Sequence, residues 1–255
     1  MKTKYLEAAT LLLLMGFLIA SGIRDAEYRA SMEEYKALEE RVEEPVESEE
    51  EQEETEEETP YPVRILDYDA LTSMNQDFVA WIYIPLLDIS YPVVQGVDDE
   101  VYLYQSFGKQ SNRAGCTFLD AYNKNDFTSM SNFIFGHNMR NGTMFGNLKN
   151  LYRSPEEFPC AENPYIYIYR EDEVIQYEIF AYQLIHRDSN LYRDINTEEE
   201  YAAYTEEVMA GNMEPHGKMP DYGVHRLLTL STCSGTDGQN RFLVQAIEKE
   251  RFEIQ

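Results

Sequence analysis

The stretch Thr229-Leu-Ser-Thr-Cys233, followed eight residues later by Arg241 at the head of another apolar run, decides the fold of this chain. Both flanking segments, His225 to Cys233 and Arg241 to Lys249, carry the aliphatic residues typical of strands. The seven residues between them include two glycines and an aspartate, which predicts a turn. If the strands pair antiparallel, Cys233 and Arg241 meet at one end of a hairpin, where a thiol faces a guanidinium.

A thiol nucleophile needs a base, because only the thiolate attacks and a free cysteine is mostly protonated at neutral pH. The chain contains four histidines. His137 follows the apolar run Phe133 to Gly136 and precedes an Asn- and Gly-rich loop, so we expect it at the exit of a strand. The histidines at positions 186, 216 and 225 are interpreted as surface or strand-end residues. His137 is therefore the predicted base.

These residues resemble a class B sortase. The resemblance is carried by Thr229-Leu-Ser-Thr-Cys233 with Arg241, and by Gly136-His-Asn-Met139 and Gly142-Thr-Met-Phe145 upstream. It covers roughly Ile65 to Ile254, and it includes Trp81-Ile-Tyr-Ile-Pro85, Tyr91-Pro-Val-Val-Gln95 and Gly115-Cys-Thr-Phe-Leu-Asp120 in the family's order. The resemblance implies a mainly β fold, a closed sortase-type β-barrel of about eight strands. It also implies peripheral helices, including an N-terminal helix and a helix inserted before the cysteine strand.

Sortases of this class are membrane-anchored cysteine transpeptidases on the surface of Gram-positive bacteria. The resemblance implies that this chain cleaves a C-terminal sorting motif of secreted proteins after a threonine. The thioester acyl-enzyme then passes the threonine to an amine of the cell wall or of its peptidoglycan precursor. Three catalytic residues follow: Cys233 as nucleophile, His137 as acid and base, and Arg241 as an oxyanion donor. No nucleic-acid partner is expected.

Substrate-binding residues are predicted beside the nucleophile. Ser231 is two positions before Cys233 in the predicted strand, so both side chains point to the same face and we expect Ser231 to contact substrate. Thr232, its neighbour, is a second candidate, although both are strand residues by default. Asn123, in the same loop as Asp120, is a third candidate because that loop is expected to line the groove.

The turn between the two strands offers a competitor to Arg241. Asp237 could orient His137 in a Cys-His-Asp arrangement. Alternatively, with Gly238 next to it, Asp237 simply stabilises the turn.

Other functions fit the sequence less well. A peptidoglycan-directed L,D-transpeptidase would need a Ser/Thr-His-Gly-Cys run, whereas the chain has Ser231-Thr-Cys-Ser. A papain-like peptidase usually places its cysteine first, at a helix N-terminus, whereas Cys233 follows His137 by 96 positions. A catalytically silent surface-binding domain is the alternative from a different class. Alkylation of Cys233 that depends on His137 would distinguish it.

The N-terminus is predicted to be a membrane anchor. Residues 1–5 carry two lysines and are expected in the cytoplasm, and residues 6–23 are largely apolar. At 1.5 Å per residue, 18 helical positions reach about 27 Å, close to the thickness of a hydrocarbon core. A cleaved signal peptide, with Ala20-Ser21-Gly22 as the cleavage site, is the alternative. The predicted anchor implies a single-pass membrane protein whose catalytic domain is outside the cell.

The net charge of −26 is concentrated in one segment. Residues 39 to 58 contain 13 glutamates and one arginine, a composition typical of a solvated, extended linker. We therefore interpret residues 24–60 as a helical and acidic linker, with helical spacing over Arg24 to Leu38. This linker could hold the catalytic domain up to about 75 Å from the membrane.

Residues 61–255 suffice for one domain with a sizeable core. The three cysteines form no disulfide framework, although a Cys116–Cys160 bridge is conceivable, and none has zinc-site spacing. No cofactor is predicted; a calcium site built from scattered loop carboxylates stays open. Helices are predicted over Asp67 to Trp81, Thr143 to Leu151 and, with a Thr197–Glu200 capping box, up to Gly211.

Overall fold

The computed structural model describes residues 59–219, 225–235 and 238–254. Towards the N-terminus it also describes residues 15, 16, 19, 22, 26, 29, 30, 32–40, 42 and 43. Most of the predicted anchor, the Glu-rich run from residue 44 to residue 58 and Asp237 therefore lie outside the described residues. Wherever the chain is described, no helix is both long enough and apolar enough to cross a bilayer.

Eight strands close into a barrel in the order β10-β8-β7-β3-β4-β5-β6-β9. Their bounds are β3 Phe78–Ile84, β4 Ile89–Val94, β5 Thr117–Leu119, β6 Ser131–Phe135, β7 Tyr165–Tyr169, β8 Glu173–His186, β9 Leu227–Ser234 and β10 Asn240–Glu253. A two-stranded sheet, β1 (Val42–Glu43) with β2 (Ile65–Leu66), lies outside the barrel. The predicted barrel fold is confirmed.

Alternation of apolar residues closes the barrel. On β8, Ile175, Tyr177 and Ile179 are buried in the same core cluster as Phe242 and Val244 of β10. Burying such a stripe from every strand removes a large apolar area from water, which is the main favourable term in folding.

Two strand pairs are parallel, β4 with β5 and β6 with β9. The second pair determines the site, because parallel strands end at the same edge of a sheet. Phe135 is opposite Ser231 in the β6–β9 register. Residues two positions beyond each of these, His137 and Cys233, therefore leave the barrel at the same place.

Three α-helices follow the sequence pattern to different extents: α1 (Tyr68–Met74), α2 (Asn150–Arg153) and α3 (Glu198–Gly211). The capping box of α3 is confirmed, since Thr197 and Glu200 exchange side-chain hydrogen bonds with each other's backbone. The predicted helix from Asp67 to Trp81 is wrong beyond Met74. Asn75 adopts an extended conformation, and its side-chain amide donates to Tyr102 and to the carbonyl of Phe107.

The predicted helix from Thr143 to Leu151 is only partly correct. Residues Phe145–Lys149 form a 3-10 helix that leads into α2. Met144, just before it, has a positive φ of 55°. This backbone turn lets Met144 pair with Asn138 in an isolated β-bridge. The segment after His137 is thus a short hairpin, residues 138–144, rather than the start of a helix.

Residues 32–39 are helical and residue 40 is in a turn, and this segment packs on the barrel. Tyr35 and Leu38 are buried in a cluster that also contains residues of β3, β4 and β7. Val42 then pairs with Leu66, so Val42–Glu43 and Ile65–Leu66 belong to one two-stranded sheet. The predicted linker over residues 24–60 lies largely outside the described residues, and its tethering role stays a prediction.

Candidate active site

Cys233 and Arg241 are directly opposite each other in the antiparallel β9–β10 ladder. The hairpin that was predicted from their spacing therefore brings thiol and guanidinium to one edge of the barrel. The loop that joins the strands contains Gly235 and Gly238, both with positive φ, a conformation that glycine adopts without steric cost. Cys233 is partly exposed, whereas Cys116 and Cys160 are buried.

All three cysteines are free, so the suggested Cys116–Cys160 bridge is not formed. Cys160 packs in the barrel core, and Cys116 belongs to a second cluster beside the N-terminal helix. Burial raises the pKa of the Cys116 thiol and of the Cys160 thiol to about 12. These two thiols are protonated at neutral pH, which leaves Cys233 as the accessible sulfur.

His137 lies two residues after the end of β6, in the mouth of the cavity that also holds Cys233. Its Nε2 atom is 2.7 Å from the carbonyl oxygen of Leu103. Because a carbonyl can only accept, this contact assigns a proton to Nε2 and leaves Nδ1 as the acceptor of the neutral ring. The ring of Tyr104 lies beside the imidazole, with ring centroids 5.9 Å apart.

The hairpin of residues 138–144 is tied to both catalytic candidates. The side-chain amide of Asn138 donates to the carbonyl of Cys233 at 2.8 Å. The backbone N–H of Phe145 donates to the carbonyl of His137 at 3.0 Å, and Gly136 N–H donates to Ser231 at 3.1 Å. Backbone hydrogen bonds therefore hold the histidine and the cysteine in a common frame.

Arg241 is anchored by the turn that precedes it. One guanidinium nitrogen, Nη1, donates to the carbonyls of Gly238 at 2.8 Å and of Asn240 at 3.1 Å. The planar guanidinium has further N–H donors beyond these two bonds. Arg241 lines the cavity, so those donors can reach an oxyanion beside Cys233.

The cavity has a volume of about 570 Å³ and brings together His137, Cys233 and Arg241. Its apolar wall is aromatic: Phe135 stacks on Phe133 and on Tyr192, and the rings of Phe133 and Tyr192 are tilted by 41°. Charged side chains of both signs complete the lining: Asp99, Asp120, Asp194, Arg187 and Arg193. Burial and the neighbouring carboxylates of Asp99 and Asp194 raise the pKa of Asp120.

Ser231 and Thr232 both line the cavity but differ in side-chain direction. The hydroxyls of Ser231 and Tyr192 are 2.7 Å apart, on the same face of β9 as Cys233. Thr232 is opposite Phe242, a core residue, and its buried hydroxyl has no hydrogen-bond partner among the described residues. Because successive side chains of a strand point to opposite faces, the Thr232 side chain is directed away from the face that carries Ser231 and Cys233.

Asn123 is buried in the loop wall and is not among the residues that line the cavity. Its side-chain amide donates to the carbonyl of Ser131 at 2.9 Å, and its side-chain oxygen accepts from Phe133 N–H at 2.7 Å. Both contacts are to β6, so Asn123 stabilises the strand that leads to His137.

Sequence reasoning did not identify Leu103, Tyr192 and Asp99 as cavity residues. Asp99 and Tyr192 lie in loops and Leu103 ends a short 3-10 helix, and the position of each depends on packing rather than on periodicity. The isolated aromatic residue in the polar stretch before α3 was the one available signal for Tyr192. Among the described residues, no group of three or more His, Cys, Asp or Glu side chains is arranged to hold a metal ion.

Comparisons with known proteins agree with this geometry. The family model for the Sortase domain matches residues 82–249, which is more than half of the chain. Sortase B of Listeria monocytogenes is 30% identical over 172 residues, 64% of this chain and 65% of that protein. The chain therefore spans just under two thirds of the length of that relative.

Solved structures give the same result. The X-ray structure of Clostridium perfringens sortase B is 29% identical, covers 71% of this chain and 99% of that chain, and superposes with a TM-score of 0.65. A Staphylococcus aureus sortase B–substrate complex is 22% identical, covers 72% of this chain and 84% of that chain, and has a TM-score of 0.65. At that identity the likeness concerns the fold alone. With its closed barrel and its Cys233–Arg241 hairpin, this chain belongs to the sortase family, and the relatives that it resembles are sortase B proteins.

Proposed function

We propose that this protein is a class B sortase that cleaves a C-terminal sorting motif of secreted proteins after threonine and joins that threonine to a cell-wall amine. One observation carries the proposal. His137, from the segment after β6, lines one cavity of about 570 Å³ together with Cys233 and Arg241 of the β9–β10 hairpin. A silent binding domain has no need for this combination of thiol, imidazole and guanidinium.

The acylation step uses all three side chains. His137 takes the proton of the Cys233 thiol, and the resulting thiolate attacks the carbonyl carbon of the threonine, whose carbonyl oxygen becomes an oxyanion. Arg241 donates to that oxyanion together with a backbone N–H next to Cys233. When the C–N bond breaks, the leaving amine takes a proton from His137, and a thioester remains on Cys233.

Deacylation reverses the roles. The incoming cell-wall amine loses a proton to His137 and attacks the thioester carbonyl. The C–S bond then breaks, and the Cys233 thiolate is regenerated as the new amide forms. The tautomer described above, with the proton on Nε2 and Nδ1 free to accept, suits His137 for this proton exchange.

Substrate contacts are proposed for Ser231 through its side chain and for Thr232 through its backbone. Tyr192 joins them, because its hydroxyl is hydrogen-bonded to that of Ser231 inside the cavity. For Asn123 we propose a supporting role, since its amide is bonded to the backbone of Ser131 and Phe133.

For location we propose a single-pass membrane protein with residues 6–23 as the anchor and the catalytic domain outside the cell. The apolar composition of residues 6–23 and the two lysines before them support this assignment. Protease treatment of intact cells tests it. A barrel that is digested from the outside, while the N-terminus stays protected, is the expected result.

The activity is tested by incubating the full chain with a panel of threonine-containing sorting-motif peptides and a small amine. Intact mass should show a thioester on Cys233, and the products should show cleavage after threonine and transfer to the amine. Cys233→Ala is the control. If the thiol alkylates readily but no peptide forms an adduct, the proposal is contradicted and a peptidoglycan-directed transpeptidase becomes the better assignment.

A further inference from the structure

The helical N-terminal segment, residues 32–40, packs against the part of the barrel that carries His137. Tyr35 is 7% exposed and Leu38 is 1% exposed. Both lie in one cluster with Met139 and Met144, which belong to the hairpin after His137. Residues three apart share a face of a helix, so one side of this segment is committed to the barrel.

Polar contacts fix the position of this segment. The Tyr35 hydroxyl donates to the carbonyl of Gly115 at 2.5 Å. The Glu34 carboxylate accepts from the N–H of Gly108 at 2.7 Å. The buried hydroxyl–carbonyl bond is the stronger constraint, because without it both groups would be buried with neither a protein partner nor water to hydrogen-bond.

Tyr35 also holds another aromatic side chain in place. Its ring meets the ring of Tyr91, on β4, edge to face at a centroid distance of 5.5 Å. The Tyr91 hydroxyl accepts a hydrogen bond from the backbone N–H of Met144 at 3.1 Å. Met144 is fully buried and has a φ of 55°, a backbone conformation that is unfavourable for residues other than glycine. Such a conformation persists only when surrounding contacts determine it.

Met144 is coupled to the catalytic residues by two short connections. It forms a β-bridge with Asn138, whose amide donates to the carbonyl of Cys233. The next residue, Phe145, donates its N–H to the carbonyl of His137. A shift of Met144 therefore displaces the backbone at the carbonyl of His137 and at Asn138.

We propose that Tyr91 is a positioning residue for His137, and that the N-terminal segment contributes to catalysis by holding Tyr91 through Tyr35. The proposal rests on the role of His137 in the proposed function. It assigns to residues 32–40 a part in the active site in addition to any part in tethering the domain. A barrel that lacks them keeps its three catalytic side chains but loses the contact that orients one of them.

The test is Tyr91→Phe in the full chain, which removes the hydroxyl and keeps the ring. Tyr169→Phe is the matched control, because the buried Tyr169 on β7 bonds through its hydroxyl to the carbonyl of Pro62. Two readouts are used: peptide turnover, and the pH dependence of Cys233 alkylation by a small haloacetamide. The second readout needs no sorting peptide.

We expect Tyr91→Phe to lower kcat about 5- to 30-fold with KM within about twofold, because misplacing a catalytic group costs rate rather than binding. Its alkylation profile should shift towards that of His137→Ala. Tyr169→Phe should change neither readout by more than about twofold. Equal effects of the two variants on both readouts would overturn the positioning role of Tyr91.

The role of Tyr35 is tested by combining Tyr35→Ala with Tyr91→Phe. If Tyr35 acts through Tyr91, the double variant is no slower than the slower single variant, whereas independent effects would multiply. Multiplied effects would remove Tyr35 from the proposal. A wild-type chain that alkylates in a His137-dependent way but turns over no peptide would instead contradict the proposed function, and the alkylation profiles would still decide the role of Tyr91.

Discussion

Cys233 and Arg241 lie on two strands that are paired along their length. His137, in contrast, lies just beyond the end of a strand, in a segment held by two hydrogen bonds that span 34 and 95 positions of the sequence. In the ladder, each residue is fixed by the hydrogen bonds of its neighbours. In the hairpin after His137, a few side chains and one unfavourable backbone conformation determine the geometry. The half of the site that carries Cys233 and Arg241 thus tolerates local change, and the half that carries His137 depends on remote parts of the chain.

The largest expected effect is the loss of the nucleophile itself. Cys233→Ala should reduce transpeptidation by at least about 10⁴-fold, because no other group in the cavity can form the thioester. The measurement is product formation from a sorting peptide, with the melting temperature as the control for folding. Residual turnover above about 1% would show that the reaction does not pass through Cys233.

The next largest loss of activity is expected for changes at Arg241. Arg241→Lys keeps the charge but loses the planar set of donors, so we expect kcat to fall about 10²-fold, and Arg241→Ala to fall further. The β9–β10 ladder should be unaffected, because its bonds are made by the backbone. Asp237→Ala is the comparison variant. A greater loss from the aspartate change than from Arg241→Ala would mean that the acidic residue, and not Arg241, is the third catalytic group.

The hairpin after His137 should be sensitive to a single methyl group. A Cβ at position 146 would lie 2.5 Å from the carbonyl oxygen of Met139, so Gly146→Ala must displace backbone. We expect kcat to fall about 10- to 100-fold. In Gly211→Ala, at the end of α3, the new Cβ meets the amide end of the Gln183 side chain, so a side chain rather than backbone must shift. This control should stay within about twofold, and similar losses in the two variants would remove the distinction between the two halves of the site.

The smallest effect concerns the two buried thiols. Their pKa values are raised to about 12, so the folded protein keeps protons that the unfolded chain loses above about pH 9. The stability that they contribute is therefore complete below pH 9 and decreases as the pH rises towards 12, by about 1 kcal/mol per thiol for the first pH unit. Urea unfolding at pH 8 and pH 10, with Cys116→Ala for comparison, measures this. A variant with the same pH dependence as the wild type would contradict it.

Mass spectrometry after alkylation provides the matching check on the native state. At pH 8 only Cys233 should be labelled, and Cys116 and Cys160 should react once urea unfolds the chain. Labelling of Cys116 without denaturant would mean that the N-terminal helical segment detaches from the barrel, since Cys116 lies in the cluster beneath it.

The hairpin of Cys233 and Arg241 and helix α3 were predictable from the sequence alone. In each case the signal is local, because apolar alternation, turn residues and a capping box act within a few positions. The position of His137 at the end of an apolar run marked it as the candidate base, and resemblance to sortases added the closed barrel. Helix predictions failed where a polar side chain or a positive φ ended the pattern, at Asn75 and at Met144.

Only the tertiary structure decided how the parts meet. Pairing β6 parallel to β9 puts His137 beside Cys233, although 96 positions separate them. No local pattern encodes a parallel register between strands so far apart, because burial of both strands in the closed barrel selects it. The same is true of Leu103, Tyr192 and the Tyr35–Tyr91 contact. Each depends on a loop or a segment whose position is set by what it packs against.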